Sequence, residues 1–117
     1  MIKMDNCKKK KLILIVEDEG IISLALSRAI EKFGYDAITA ENGETAIGIA
    51  LDNHEVSLIL MDIDLGRGMD GTEAARRILA ERDLPIVFHT SHSEREMVEK
   101  VRGITRYGYV IKNTGDF

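Results

Sequence analysis

Two stretches of the chain are apolar without a break, and both run into acid. Residues 12–16 read Leu-Ile-Leu-Ile-Val and lead to Glu17-Asp18; residues 58–61 read Leu-Ile-Leu-Met and lead to Asp62. Apolar runs with no polar alternation suit strands covered on both faces of a parallel sheet. A lone carboxylate cannot follow into such a core, because burying an unpaired charge is too costly. The acids are therefore expected where the strands emerge, the edge at which open α/β sheets bind ligands. That makes Asp62 the predicted chemical centre.

The segments between these runs change period. Over residues 19–33 the apolar positions Ile22, Leu26, Ala29, Ile30 and Phe33 recur every three or four residues, a helical stripe stopped by Gly34. Residues 35–40 read as a short strand. Asn42-Gly43 breaks the chain, and residues 44–51 carry a second stripe on Ala46, Ile47, Ala50 and Leu51. After Asp62, the glycines at 66, 68 and 71 predict a tight loop. Thr72 is the expected cap of a helix over residues 73–82, with Ala74, Ala75, Ile78 and Leu79 inward. Pro85 opens a strand over 86–89, residues 93–102 read as a fourth helix, and 108–111 as a last strand before Lys112. Five strands alternating with four helices predict an α/β fold, a parallel sheet with right-handed crossovers and helices on both faces.

Composition changes this picture little. With 117 residues, 44% hydrophobic and 31% charged, the chain suits one globular domain. A net charge of -4 argues against nucleic-acid binding by this segment; the basic lead-in, residues 1–10, reads as solvated. Cys7 is the single cysteine, so no intrachain disulfide can form, in keeping with a cytoplasmic location. No signal peptide is expected, and no apolar stretch nears the roughly 18 residues of a membrane span.

Chemistry gathers at the strand exits. Glu17, Asp18, Asp62, Thr90 and Lys112 all follow or end strands, and parallel strands bring these ends to one edge. Clustered carboxylates repel unless a cation intervenes. A hard divalent ion such as Mg²⁺, with oxygen ligands, resolves that repulsion. Metal, ammonium and hydroxyl around a carboxylate suit phosphoryl transfer, with Asp62 as nucleophile. His54, His89 and His92 show no metal-ligand spacing and are assigned to surface or loops.

These residues carry a resemblance. Val16-Glu17-Asp18-Glu19, Leu60-Met61-Asp62, Asp70-Gly71, Thr90-Ser91 and Tyr109-Val110-Ile111-Lys112 resemble, in order and approximate spacing, the signature of response-regulator receiver domains. The resemblance implies a single receiver domain over 1–117 with the flavodoxin-like doubly wound parallel sheet, strand order 2-1-3-4-5. It implies that Asp62 accepts a phosphoryl group from the phosphohistidine of a sensor histidine kinase or a phosphotransfer protein. Glu17, Asp18, Asp62 and the main-chain carbonyl of Asp64 would hold Mg²⁺. Lys112 would pair with the carboxylate or phosphate, Thr90 would swing to the phosphoryl group, and Tyr109 would turn inward as the switch aromatic. Such a domain is a signalling switch with slow self-phosphorylation and self-dephosphorylation, not a turnover enzyme.

The chain departs from the family pattern in places. Asn113 stands where proline usually follows the lysine, so a trans Lys112-Asn113 bond is expected. Leu65-Gly66 replaces the usual Met-Pro, and the glycine loop is one residue longer. Asp64 and His92 occupy positions at which receivers vary their dephosphorylation rates. The chain stops at Phe117, where the family pattern would have one more helix, so that last helix is expected to be lacking. Its absence would bare an apolar sheet face, so a larger parent protein or a homodimer is expected, through that face or the fourth-helix/fifth-strand face. Two other functions fit less well. Asp62-Ile63-Asp64 resembles the nucleophile pair of haloacid-dehalogenase-like phosphohydrolases, although the acidic pair on the first strand favours a receiver. The other is a receiver-shaped interaction domain that is never phosphorylated.

Overall fold

The computed structural model describes residues 10–66, 68–90 and 109–111, with Thr90 and residues 109–111 as backbone only. Its elements follow the order β1 (Leu12–Val16), α1 (Gly20–Lys32), β2 (Asp36–Ala40), α2 (Gly43–Asp52), β3 (Val56–Asp62), α3 (Gly71–Glu81), β4 (Ile86–Thr90) and β5 (Tyr109–Ile111). The predicted fourth helix lies outside the described residues, as do Cys7, His92, Lys112 and Asn113.

The five strands form one sheet in the order β2-β1-β3-β4-β5. Every pairing is parallel. This is the doubly wound order expected from the sequence. The chain steps from β1 outward to β2, then reverses to β3. Right-handed crossovers therefore put α1 on one face and α2 with α3 on the other. In agreement, α2 packs on α3, whereas α1 packs on β1 and β2. β3 begins two residues earlier than its unbroken apolar run. A register shift lets Leu12 pair with Val56 and Ile13 with Leu58.

The main core lies on the α2/α3 face. Leu14, Val16, Ile59, Met61, Ile86 and Phe88 from the sheet meet Ala46 and Ala50 of α2 and Ala74, Ala75 and Ile78 of α3, all buried. Small alanines let the two helices approach the sheet and each other. On the opposite face Ile15 and Leu26 are buried, while Ile13, Leu58, Leu60 and Val87 are half-buried.

Two local expectations change. Phe33 does not join the inner stripe of α1: it is the C-cap and is 80% exposed. Its N–H bonds to Ile30 O, and the following Gly34, at φ 94, turns the chain away. The cap of α3 is Asp70 rather than Thr72. The Asp70 side chain accepts from the Glu73 N–H at 2.9 Å and from the Thr72 hydroxyl at 2.7 Å. Asp70 stands at N-cap, one residue outside the first turn, where a side-chain acceptor meets the free N–H groups; Thr72 is already inside the helix.

Candidate functional site

The site begins where the ladders outlast the apolar runs. Beyond β1 the Glu17 N–H still bonds to Ala40 O at 3.0 Å, so the acid is held in line with the sheet. Its side chain is buried, and one carboxylate oxygen accepts from the Glu19 N–H at 3.2 Å. Asp18, one residue on, is exposed. Its Oδ2 lies 3.0 Å from the point where a β-carbon on Gly66 would stand. Asp18 therefore overhangs the glycine loop that follows Asp62.

Asp62 closes β3 and is 2% exposed. Its Oδ1 accepts from the Asp64 N–H at 3.2 Å, and Asp64 Oδ1 in turn accepts from the Gly66 N–H at 3.3 Å. These successive Asx-type contacts curl the backbone back on itself, with Gly66 (φ 76) and Gly68 (φ 81) supplying the left-handed turns. The loop is tied on both sides. The Ile63 N–H bonds to His89 O at 3.1 Å, and the Gly71 N–H bonds to Ile63 O at 2.8 Å. β4 and α3 thus fix the backbone at Ile63, directly after Asp62.

Sequence reasoning assigned His89 to a surface or loop, and the structure corrects this. His89 lies within β4, is 2% exposed, and pairs in register with Asp62. Its Nδ1 is 3.9 Å from Glu17 Oε1. Glu17, Asp62 and His89 each offer a ligand atom, and these atoms lie within 4.8 Å of one another. The signal was available. His89 ends an Ile-Val-Phe run as Asp62 ends its own apolar run, and strands of equal depth bring both to the same edge.

Of the predicted site residues, Glu17 and Asp62 lie within 4.8 Å of each other and Asp18 lies at the rim. Asp64 is exposed, with its N–H turned to Asp62. Thr90 ends β4 and its backbone pairs with Ile111; Tyr109 pairs with Phe88. The side chains of Thr90 and Tyr109, and all of Lys112, lie outside the described residues. A groove of about 600 Å³ opens over Glu17 and Asp18, walled by Ser23, Thr39, Asn42 and Thr45. The carboxylates alone suit a hard cation: Glu17 and Asp62 lie within 4.8 Å of each other, and the Asp18 carboxylate stands at the rim.

Comparison with known proteins agrees with this architecture. The response regulator receiver domain family matches residues 13–116. The transcriptional regulatory protein PdtaR of Mycobacterium tuberculosis is 35% identical over 101 residues, covering 86% of this chain and 48% of that protein. This chain thus spans about half of that relative's length. Among solved structures, the N-terminal domain of a response regulator/sensory box/GGDEF 3-domain protein from Carboxydothermus hydrogenoformans is 44% identical. It superposes with a TM-score of 0.78 over 86% of this chain and 81% of that one. The chemotaxis protein CheY4 of Vibrio cholerae shares the fold, with a TM-score of 0.81 at 21% identity over 89% of this chain and 88% of that one.

Proposed function

Because the chain belongs to the response regulator receiver domain family, we propose that it works as a phosphoacceptor switch centred on Asp62. The observation that carries this reading is the meeting of Glu17 and Asp62. Two acids 45 residues apart are buried together at the carboxyl edge of a parallel sheet. Burying like charges side by side is unfavourable unless a cation offsets their repulsion.

In this reading Glu17, Asp18, Asp62 and the carbonyl of Asp64 hold Mg²⁺. The metal supplies positive charge against the oxygens of the incoming phosphoryl group. An Asp62 carboxylate oxygen attacks phosphorus in line. The bond from phosphorus to the donor's imidazole nitrogen breaks, and that nitrogen keeps the electron pair. The hydrogen bond from the Asp64 N–H to Oδ1 helps to orient the Asp62 carboxylate for that attack. Lys112 neutralises the product, Thr90 donates a hydrogen bond to it, and Tyr109 relays the change along β5. The donor is a histidine kinase or a phosphotransfer protein. The domain acts in the cytoplasm and releases phosphate slowly, without multiple turnover of small substrates. Among the described residues, no helix is long and apolar enough to cross a membrane. A second copy, if one binds, meets the half-buried face of Leu58, Leu60 and Val87 or the face of β5; light scattering at rising concentration measures this.

The test is phosphorylation by acetyl phosphate with Mg²⁺, read by intact-protein mass. One phosphoryl group per chain is expected on the wild type and none on Asp62→Asn. Labelling that persists in Asp62→Asn, or continued release of phosphate far beyond one equivalent, would overturn the reading.

A further inference from the structure

We propose that His89 adds a nitrogen ligand to the acidic pocket, so that Glu17, Asp62 and His89 together bind a borderline divalent cation such as Co²⁺ or Zn²⁺ more tightly than Mg²⁺. The inference rests on the reading of Glu17 and Asp62 as cation ligands and extends it to the choice of ion.

The three residues come from three neighbouring strands. Glu17 follows β1, Asp62 ends β3, and His89 lies in β4 opposite Asp62. The sheet therefore sets their spacing. All three are buried, at 2% exposure each. Their ligand atoms lie within 4.8 Å of one another, and the His89 Nδ1 to Glu17 Oε1 distance is 3.9 Å. Bonds of about 2.0–2.2 Å place two ligand atoms on one ion roughly 3–3.5 Å apart. Side-chain rotations that shorten these gaps by an ångström or so would complete the set, with no change of strand register.

The chemistry of the donors then decides the ion. Mg²⁺ prefers oxygen and keeps several waters, so an imidazole adds little to its binding. Imidazole suits the later first-row metals, whose affinity for mixed nitrogen and oxygen sites rises from Mn²⁺ towards Cu²⁺. A site of two carboxylates and one imidazole thus has a selectivity that carboxylates alone would not give. The backbone position of His89 is fixed, because its carbonyl accepts from the Ile63 N–H. Because Glu17 and Asp62 are shared, the borderline ion and Mg²⁺ compete for one place.

The experiment uses tag-free full chain stripped of metal with a chelator. Co²⁺ is titrated and followed by its visible absorption and by calorimetry, then Mg²⁺ is titrated separately. Wild type is expected to bind one Co²⁺ at least tenfold more tightly than Mg²⁺. His89→Leu should lose at least tenfold in Co²⁺ affinity while its Mg²⁺ affinity stays within about twofold. His54 and His92 remain in that variant, so binding at other histidines is accounted for. Pulsed electron paramagnetic resonance of the Mn²⁺-loaded wild type should show coupling to one imidazole nitrogen, and this readout needs no variant. Absence of that coupling, or equal Co²⁺ affinity in wild type and folded His89→Leu, overturns the proposal. Acetyl phosphate labelling of the wild type with Mg²⁺ separates the two readings. A wild type that labels with Mg²⁺ yet shows no preference for Co²⁺ sinks the nitrogen ligand alone. Labelling that fails in the wild type sinks the phosphoacceptor reading.

Discussion

The carbonyl oxygen of Asp62 occupies the space that a β-carbon on Gly71 would need. The carbonyl carbon of Asp62 and Cα of Ile63 would lie only 2.9 and 3.0 Å from that β-carbon. All three are backbone atoms, so no side chain can swing away to make room. Gly71 is therefore the point at which α3 closes on the end of β3, and its N–H to Ile63 O bond fastens the contact. Gly71→Ala is expected to destabilise the fold by roughly 3 kcal/mol, at the upper end of the usual overpacking cost. Whatever folds should label more slowly with acetyl phosphate, because the Asp62 backbone has moved. Chemical denaturation and a labelling time course measure the two effects.

Arg82 closes the other end of α3. Its guanidinium donates to the carbonyls of Ala50, Asn53, His54 and Val56, at 2.7, 3.1, 3.0 and 2.8 Å. One planar fork thus gathers the whole turn between α2 and β3. Lysine brings a compact charge that cannot reach four carbonyls at once. Arg82→Ala should cost about 3 kcal/mol, since hydrogen bonds to a charged group are each worth roughly 1.5–3 kcal/mol and four cannot count in full. Arg82→Lys should recover less than half. A lysine variant as stable as wild type would show that charge, not the fork, is what matters.

Much of this was legible from periodicity, and the misses share a cause. The continuous apolar runs placed β1 and β3, and the acid after each run placed Glu17 and Asp62 at one edge. Stripes on Ala46, Ala50, Ala74 and Ile78 named the inner faces of α2 and α3. What periodicity cannot supply is the partner of a polar side chain. Arg82 reads as a solvated helix end until the chain folds and brings carbonyls 26 to 32 residues back within its reach. His89 shows no ligand spacing along the chain because its neighbours are set by the register of β3 and β4. Phe33 fitted the α1 stripe by count, but the helix ends one residue before it.

Asp70 does two jobs at the start of α3, and its removal should cost more than an ordinary cap. Losing the bond to the Glu73 N–H costs about 1 kcal/mol. Losing the bond to the buried Thr72 hydroxyl leaves that donor without its acceptor, about 1–3 kcal/mol more. Asp70→Ala is expected to fall by about 2–4 kcal/mol. Asp70→Ala with Thr72→Val should fall by less than the sum of the single changes, because the same bond is lost only once. Denaturation midpoints of the four proteins in that cycle provide the measurement.

Glu73 gives a small acid-side dependence. The hydrogen bond from Arg77, aided by Arg76, holds its carboxyl below the usual 4.5. A depressed folded value means that the charged form adds stability above the unfolded pKa. That addition fades as pH falls through the folded value. Glu73→Gln should therefore be slightly less stable than wild type at pH 6, and equal to it once Glu73 is protonated in the fold. The pair is solvent-exposed, so added salt should also shrink the difference. A gap that widened on acidification would contradict the sign.

Mg²⁺ and Asp62 should pull stability in opposite directions. Two ionised carboxylates within 4.8 Å repel by on the order of 3 kcal/mol at an effective dielectric near 20. Hydrogen bonds such as that from the Asp64 N–H offset part of this. Asp62→Asn keeps that bond, because the amide oxygen still accepts, and it removes one charge. Without metal the variant should be the more stable protein, by about 1–2 kcal/mol. With metal the order should narrow or reverse. A ligand that binds only the folded state at ten times its dissociation constant adds about 1.4 kcal/mol to the wild type. The variant has lost a charged ligand and should gain far less. Thermal melts with chelator and with rising Mg²⁺ give the comparison. A wild type unmoved by Mg²⁺, or an Asp62→Asn variant that melts lower in chelator, would mean that the two acids do not share one electrostatic site.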